Sequence, residues 1–258
     1  MAETFEPSPL PQIGRVTFAE IVVSLGCGWR DFLAAPGFGL FFGGVYALAG
    51  LVLTLLGAGN WTWTLVLSLG FPLVAPFAAV GLYEVSRRLE DGEPLTWPAV
   101  LGVVARERNR QIPWAGAIIV IYFLFWSFLA HMLFALFMGP SALMNVSTSW
   151  DSFLTPTGLT MIGVEFAVGG VAAFILFALT VVSLPLLLEK EIDFVSAMLL
   201  SFRCTLANLP VMLAWAAIIA LLLFVGMLPW FLGLFVVLPV LGHATWHLYR
   251  RALYDPLP

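Results

Sequence analysis

The chain has 258 residues, of which 61% are hydrophobic and only 10% charged, with a mean hydropathy of +1.01 and a formal net charge of -4. Soluble domains carry about 25% charged residues, so this composition excludes an ordinary water-soluble domain and points to a chain solvated by lipid. No basic patch supports nucleic-acid binding, and the two cysteines, Cys27 and Cys204, lie far from any CxxC or Cys/His cluster, so a disulfide is not expected.

A helix rises 1.5 Å per residue, so about 20 apolar residues cross a hydrocarbon core of about 30 Å. The opening "MAETFEPSPLPQ" is acidic and proline-rich, unlike a cleaved signal peptide. Residues 1–15 are therefore expected to be a disordered cytoplasmic N-terminus, and 16–258 a single transmembrane domain. "TFAE" (17–20) has the form of a capping box and opens an amphipathic helix through "IVVSLGCGWRDFLAAP" (21–36). A first span is predicted over 36–57, where Gly39, Gly43 and Ala47 stand four apart and form a small-residue face for close helix packing. "GAGNW" (57–61) reads as a turn, and a second span covers 61–85. Pro72 and Pro76 within it predict a kink or an unwound turn.

The loop "SRRLEDGEPLTWPAVLGVVARERNR" (86–110) mixes both charge signs and contains a second amphipathic stretch, 97–113, with Thr96 as its N-cap. Spans three and four follow at 112–138 and 158–185, joined by 139–157, which contains no Lys or Arg. His131 and Glu165 are the ionisable residues inside these two spans, each about 10 Å from the outer surface at 1.5 Å per residue. Such residues cost about 2.5–3.5 kcal/mol on insertion scales, so the pair reads either as a proton or cation relay or as an interhelical hydrogen bond. A third amphipathic stretch, 194–210, with Asp193 as N-cap, leads to spans five and six at 207–227 and 229–249, which fold back at "GMLPW" (226–230).

Under this six-span assignment every Lys and Arg falls on one side, which the positive-inside rule places in the cytoplasm together with both termini. The amphipathic stretches repeat. Each has an arginine nine residues after its apolar start, at Arg30, Arg106 and Arg203, and a proline six or seven residues later. At the exits, Pro76 and Pro239 each precede an arginine pair by eleven residues, aligning Tyr83 and Glu84 with Trp246 and His247. The fold class is therefore all-α and polytopic. Six transmembrane helices form three hairpins, each preceded by an interfacial amphipathic helix, in repeat units at about 16–94, 95–190 and 191–258.

The exit "GHATWHLYRR" (242–251) admits three readings. Trp246, Tyr249, Arg250 and Arg251, together with Arg87 and Arg88, could form the aromatic and basic anchors at lipid headgroups. The histidines could instead make buried interhelical hydrogen bonds. His243 and His247, four apart on one helix face, could also hold haem or a metal, with Glu84 as a third member of a polar cluster at the cytoplasmic edge.

The blocks "PFAAVGLYEVSRRLEDGEPLTW" (76–97), "VVSLPLLLEKEIDFVSAM" (181–198) and "VLPVLGHATWHLYRR" (237–251) resemble those of an uncharacterised proteobacterial integral-membrane family, a domain of unknown function. The resemblance implies a bacterial inner-membrane protein and no established activity. Three histidines cannot supply the haem and copper ligands of an oxidase subunit. With no P-loop, nucleophile elbow or zinc-protease motif, the chain reads as a non-enzymatic accessory, scaffold or assembly component without cofactors. Its expected partners are membrane lipids and a larger membrane complex, such as a respiratory or photosynthetic one. The alternative is a transporter of a small solute, ion or lipid that uses the kinked second span and the His131–Glu165 pair.

Overall fold

Proline marks the junction between three short helices and the long helices that follow them. In a computed structural model that describes residues 10–55, 61–107, 110–139 and 150–254, three shorter helices, α1 (Phe18–Ala34), α4 (Trp97–Glu107) and α9 (Phe194–Ala207), each end shortly before a proline. The helices that follow place it in their first or second position: Pro36 in α2 (Pro36–Leu55), Pro113 in α5 (Ile112–Met138) and Pro210 in α10 (Leu209–Met227). Proline lacks an N–H and disfavours a helical residue before it, so it stops one helix and starts the next. Between α1 and α2 the axis turns by 103°.

The remaining helices are α3 (Trp61–Asp91), α6 (Trp150–Phe153), α7 (Pro156–Thr180), α8 (Ser183–Glu189) and α11 (Leu234–Ala252). At the start of α1, the Thr17 N–H donates to Glu20 Oε2 at 2.6 Å, as the capping box predicts. Asp193 caps α9 by accepting from the Ser196 N–H at 2.9 Å. The α3 helix runs through Pro72 and Pro76 without the unwound turn expected there. α10 and α11 fold back at 228–233, where Trp230 (φ 47°) and Phe231 (φ 65°) take left-handed backbone conformations that bulky side chains rarely adopt.

The chain is mostly helical and holds three helices long and apolar enough to cross a membrane among the described residues: α5, the α7–α8 segment Pro156–Glu189, and α10. Counting the bent α1–α2 pair makes four. α11 belongs with the polar end of the molecule because its last ten residues include His243, His247, Arg250 and Arg251.

Packing follows a ring. α1 lies on α11, α4 on α3, and α9 on α7 and α8, so each short helix rests against a long helix from an earlier or later part of the chain. The α1–α11 contact brings main chain against main chain. A Cβ on Gly28 would stand 2.6 Å from both Ala244 N and Val240 O. Gly39 and Gly43 bring α2 against Pro239 of α11, and Ala47 is buried on the same face. Most of the buried core, including Trp215, Trp246, Met212 and Leu186, belongs to one cluster drawn from α1, α3, α5 and α8–α11.

The expected disorder of 1–15 is corrected for residues 10–15. Gln12–Ile13 (β1) pairs antiparallel with Leu253–Tyr254 (β2), and the Gly14 N–H donates to the Ala252 carbonyl at 2.8 Å. Asn208 secures the same segment, accepting from the Val16 N–H at 2.8 Å and donating to the Gly14 carbonyl at 3.0 Å. Residues 1–9 lie outside the described residues.

Candidate functional site

Two polar clusters occupy the end of the molecule where α1, α3, α4, α8 and α11 meet. The first is a buried chain of hydrogen bonds between three helices. His247 Nε2 of α11 lies 2.7 Å from Asp31 Oδ2 of α1, and Ser86 Oγ of α3 donates to the same oxygen at 2.7 Å. Ser86 has one proton, already given to Asp31, so its 2.8 Å contact with His243 Nδ1 requires that nitrogen to donate. His243 is thereby fixed as the Nδ1–H tautomer, and its Nε2 is buried with no hydrogen-bond partner among the described residues. Burial pushes the Asp31 carboxyl upward. The bonds from His247 and Ser86 and the nearby imidazoles outweigh it, leaving the group below its ordinary value.

The second cluster surrounds a polar cavity of about 240 Å³. α3 contributes Glu84, Arg87, Glu90 and Asp91, and α4 contributes Val103, Arg106 and Glu107. Arg110 follows α4, while Leu188 and Glu189 come from α8 and Trp246 and Arg250 from α11. Most of these charges are matched. Glu84, 1% exposed, accepts from Arg87 at 2.9 Å and from Arg88 Nε at 2.6 Å. Glu189 receives Arg250 Nη1 at 2.6 Å and the Tyr249 hydroxyl. Glu90 accepts from Trp246 Nε1 at 3.0 Å. Arg106 has no ion pair among the described residues, and Glu107 is matched only in part. Glu107 is 3% exposed, and Oε1 pairs with Arg110 at 2.9 Å while Oε2 has no partner among the described residues.

These contacts revise the exit "GHATWHLYRR". Trp246 and Tyr249 are 1% and 4% exposed, too deep inside the protein to anchor at lipid headgroups. Arg87 and Arg88 are held by Glu84, Arg250 by Glu189, and Arg251 donates to the His247 carbonyl at 2.8 Å. His243 and His247 make the buried interhelical bonds, so each already spends one ring nitrogen on a protein group. Glu84 is occupied by two arginines, and no three His, Cys, Asp or Glu side chains stand together to hold a metal among the described residues.

His131 and Glu165 are placed on neighbouring helices, α5 and α7. His131 is exposed on the helix surface, and its Nδ1 lies 2.7 Å from the Ser127 carbonyl one turn earlier. No hydrogen bond or ion pair joins it to Glu165 among the described residues.

The geometry is that of apolar helices tied at one end by internally matched charges, and the comparison with known families agrees. Residues 64–189 match the family described as a predicted integral membrane protein, DUF2189. The match runs from the first turn of α3 to the end of α8 and contains the 76–97 block, while the 237–251 block lies beyond it. No curated protein and no solved structure matches the chain. The chain is an integral membrane protein, and its polar end is the only place where its chemistry concentrates among the described residues.

Sequence reasoning missed Asp31, Ser86, Glu107 and Glu189. Each lies in an amphipathic stretch or charged loop where a solvated face is the ordinary expectation. One signal was present: Asp31 and Glu107 each follow the repeated arginine, at Arg30 and Arg106.

Proposed function

We propose that the chain is a non-enzymatic integral protein of the bacterial inner membrane, an accessory or scaffold component of a larger membrane complex. It crosses six times, with both termini cytoplasmic and three units of interfacial helix plus hairpin. Several observations favour this topology. All basic residues gather on the α1–α4–α9 side of the chain, and the 103° turn makes α1 nearly perpendicular to α2. Each short helix keeps an exposed apolar stripe suited to the acyl boundary: Val22, Trp29 and Leu33 on α1, Trp97 and Leu101 on α4, and Val195, Leu199 and Leu206 on α9. The ring of short helices on long ones is what a threefold repeat would generate.

The observation that carries the accessory role is the exposure of α5. Only 6% of its most apolar window is buried, against 44% for that of Pro156–Glu189. Phe125, Phe128 and Leu136 stand out from it at about 70% exposure. Aromatic and aliphatic side chains presented this openly suit a second membrane protein as well as lipid. The transport alternative lacks a comparable observation, because the charges at the polar end pair with one another and α3 is not unwound.

The test is a photo-crosslinking amino acid at Phe125 or Phe128, followed by extraction in mild detergent. A discrete, stoichiometric protein adduct at these positions supports the reading. Adducts to lipid alone, with a monodisperse lone protein that exchanges solute in liposomes, would overturn it.

A further inference from the structure

We propose that Arg30, Arg106 and Arg203 are three binding positions for the phosphodiester of an anionic phospholipid in the cytoplasmic leaflet. The arginines of the described helices divide into two sets. Arg87 and Arg88 hold Glu84, Arg250 holds Glu189, and Arg251 donates to the His247 carbonyl, so each already has a partner within the chain. Arg30, Arg106 and Arg203 are exposed and hold no carboxylate among the described residues. Arg30 bonds only its own helix, through the Gly26 carbonyl and Cys27 Sγ, each at 3.3 Å. Each of the three is the one basic residue of its short helix, α1, α4 or α9. Each also stands nine residues after the apolar start of its amphipathic stretch.

Two features select the phosphate of an anionic lipid. The first is charge. A guanidinium presents its N–H donors in the fork that a phosphate accepts, and these three have no other anion to receive them. The acidic residues of the same helices are taken. Glu20 serves the capping box, Asp31 is held by His247 and Ser86, Glu107 is buried and held by Arg110, and α9 contains no acidic residue. A zwitterionic headgroup would therefore bring an ammonium with no exposed, unmatched carboxylate on these helices to receive it. The second feature is surface. Leu33 follows Arg30 by three residues, and Leu199 and Leu206 flank Arg203 at four and three, all of them exposed. Guanidinium and apolar side chains thus share one helix face on α1 and α9. A phospholipid covers both, headgroup on the cation and acyl chain on the leucines, whereas a free phosphate would leave the leucines uncovered. Arg106 lines the polar cavity, and its helix exposes Trp97 and Leu101. The proposal rests on the reading that the short helices lie along the cytoplasmic leaflet, and it adds which lipid they hold and by which residues.

The full chain is purified in detergent with phosphatidylglycerol and phosphatidylethanolamine of the same acyl chains, and native mass spectrometry follows the lipids retained as more detergent is added. The expected result is selective retention of phosphatidylglycerol, one for each of the three arginines. Arg30→Gln, Arg106→Gln and Arg203→Gln should each weaken the lipid at that position roughly fivefold, and the triple variant should lose on the order of a hundredfold over the three. Equal retention of the two lipids by the wild type overturns the proposal, a comparison that holds even if a variant does not fold. So does unchanged selectivity in the triple variant. Displacement of the retained lipid by excess inorganic phosphate would mark a free-anion site and overturn the lipid assignment. None of these failures touches the accessory role, which is read by crosslinking at Phe125 and Phe128. A failure of the cytoplasmic placement shows separately, in cysteine labelling from the two sides of the membrane.

Discussion

Replacing Gly28 by alanine adds one methyl group to the face of α1 that rests on α11. The new Cβ would lie 2.6 Å from Ala244 N and from Val240 O, about 0.8 Å short of ordinary contact. Both obstructing atoms are main chain, so no rotamer change relieves the clash and α1 must move outward by about 1 Å. That movement strains the His247–Asp31 bond one turn further along the same interface. Overpacking of this kind costs about 1–3 kcal/mol, and a rigid backbone contact belongs at the upper end. Alanine's higher helix propensity returns about 1 kcal/mol, which leaves a net loss of about 1–2 kcal/mol. Gly26, two residues earlier, has nothing within 4 Å of where its methyl would stand, so Gly26→Ala should gain about 0.5–1 kcal/mol from propensity alone. The same substitution two residues apart is thus expected to differ in sign. Thermal unfolding of the two variants in one detergent should separate their Tm values by several degrees, with G28A below wild type and G26A at or above it. Equal stability of the two would refute the close α1–α11 packing.

Asn208→Ala removes the acceptor for the Val16 N–H and the donor to the Gly14 carbonyl, a local loss of about 1–3 kcal/mol, and limited proteolysis should then release the N-terminal segment markedly faster. Asp31 has a lowered folded value, so its contribution is present above its ordinary value near 3.8 and lost as pH falls through the folded one. Asp31→Asn should accordingly be less stable than wild type at neutral pH and converge with it in acid; a constant gap from pH 7 to pH 3 would contradict the linkage. Burial pushes the Cys204 thiol up to about 11 despite the opposing Asn208 contact, while Cys27 is half-exposed. Maleimide should therefore label the folded protein once, at Cys27, with Cys204 reacting only after denaturation.

Local physics made much of the architecture legible. Capping by Glu20 and Asp193, the prolines at 36, 113 and 210, and the fold-back after Met227 all act within a few residues, and each could be read from its neighbours. The site was legible only in fragments. His243 and His247 announced themselves by their spacing, but Asp31 lies 216 residues from His247 and Ser86 lies 157 from His243. Nothing in helical periodicity joins such distant positions. The same blindness made Trp246 and Tyr249 look like headgroup anchors. An aromatic beside an arginine pair reads as a membrane exit, and only the packing of α1, α3 and α8 around α11 buries it. Glu107 was hidden for a different reason. In "RERNR" (106–110) a glutamate between arginines looks solvated and paired, and only the cavity shows that one of its oxygens is neither.

The most direct measurement is the sidedness of two introduced cysteines, at Ser147 between α5 and α6 and at Asp91, the last residue of α3, each in a chain with Cys27 and Cys204 replaced by serine. A membrane-impermeant maleimide added to intact cells should modify the cysteine at 147 and spare the one at 91 until the membrane is opened. Modification of both from outside, or of 91 alone, would contradict the paired crossings and the placement of the arginine-rich end in the cytoplasm.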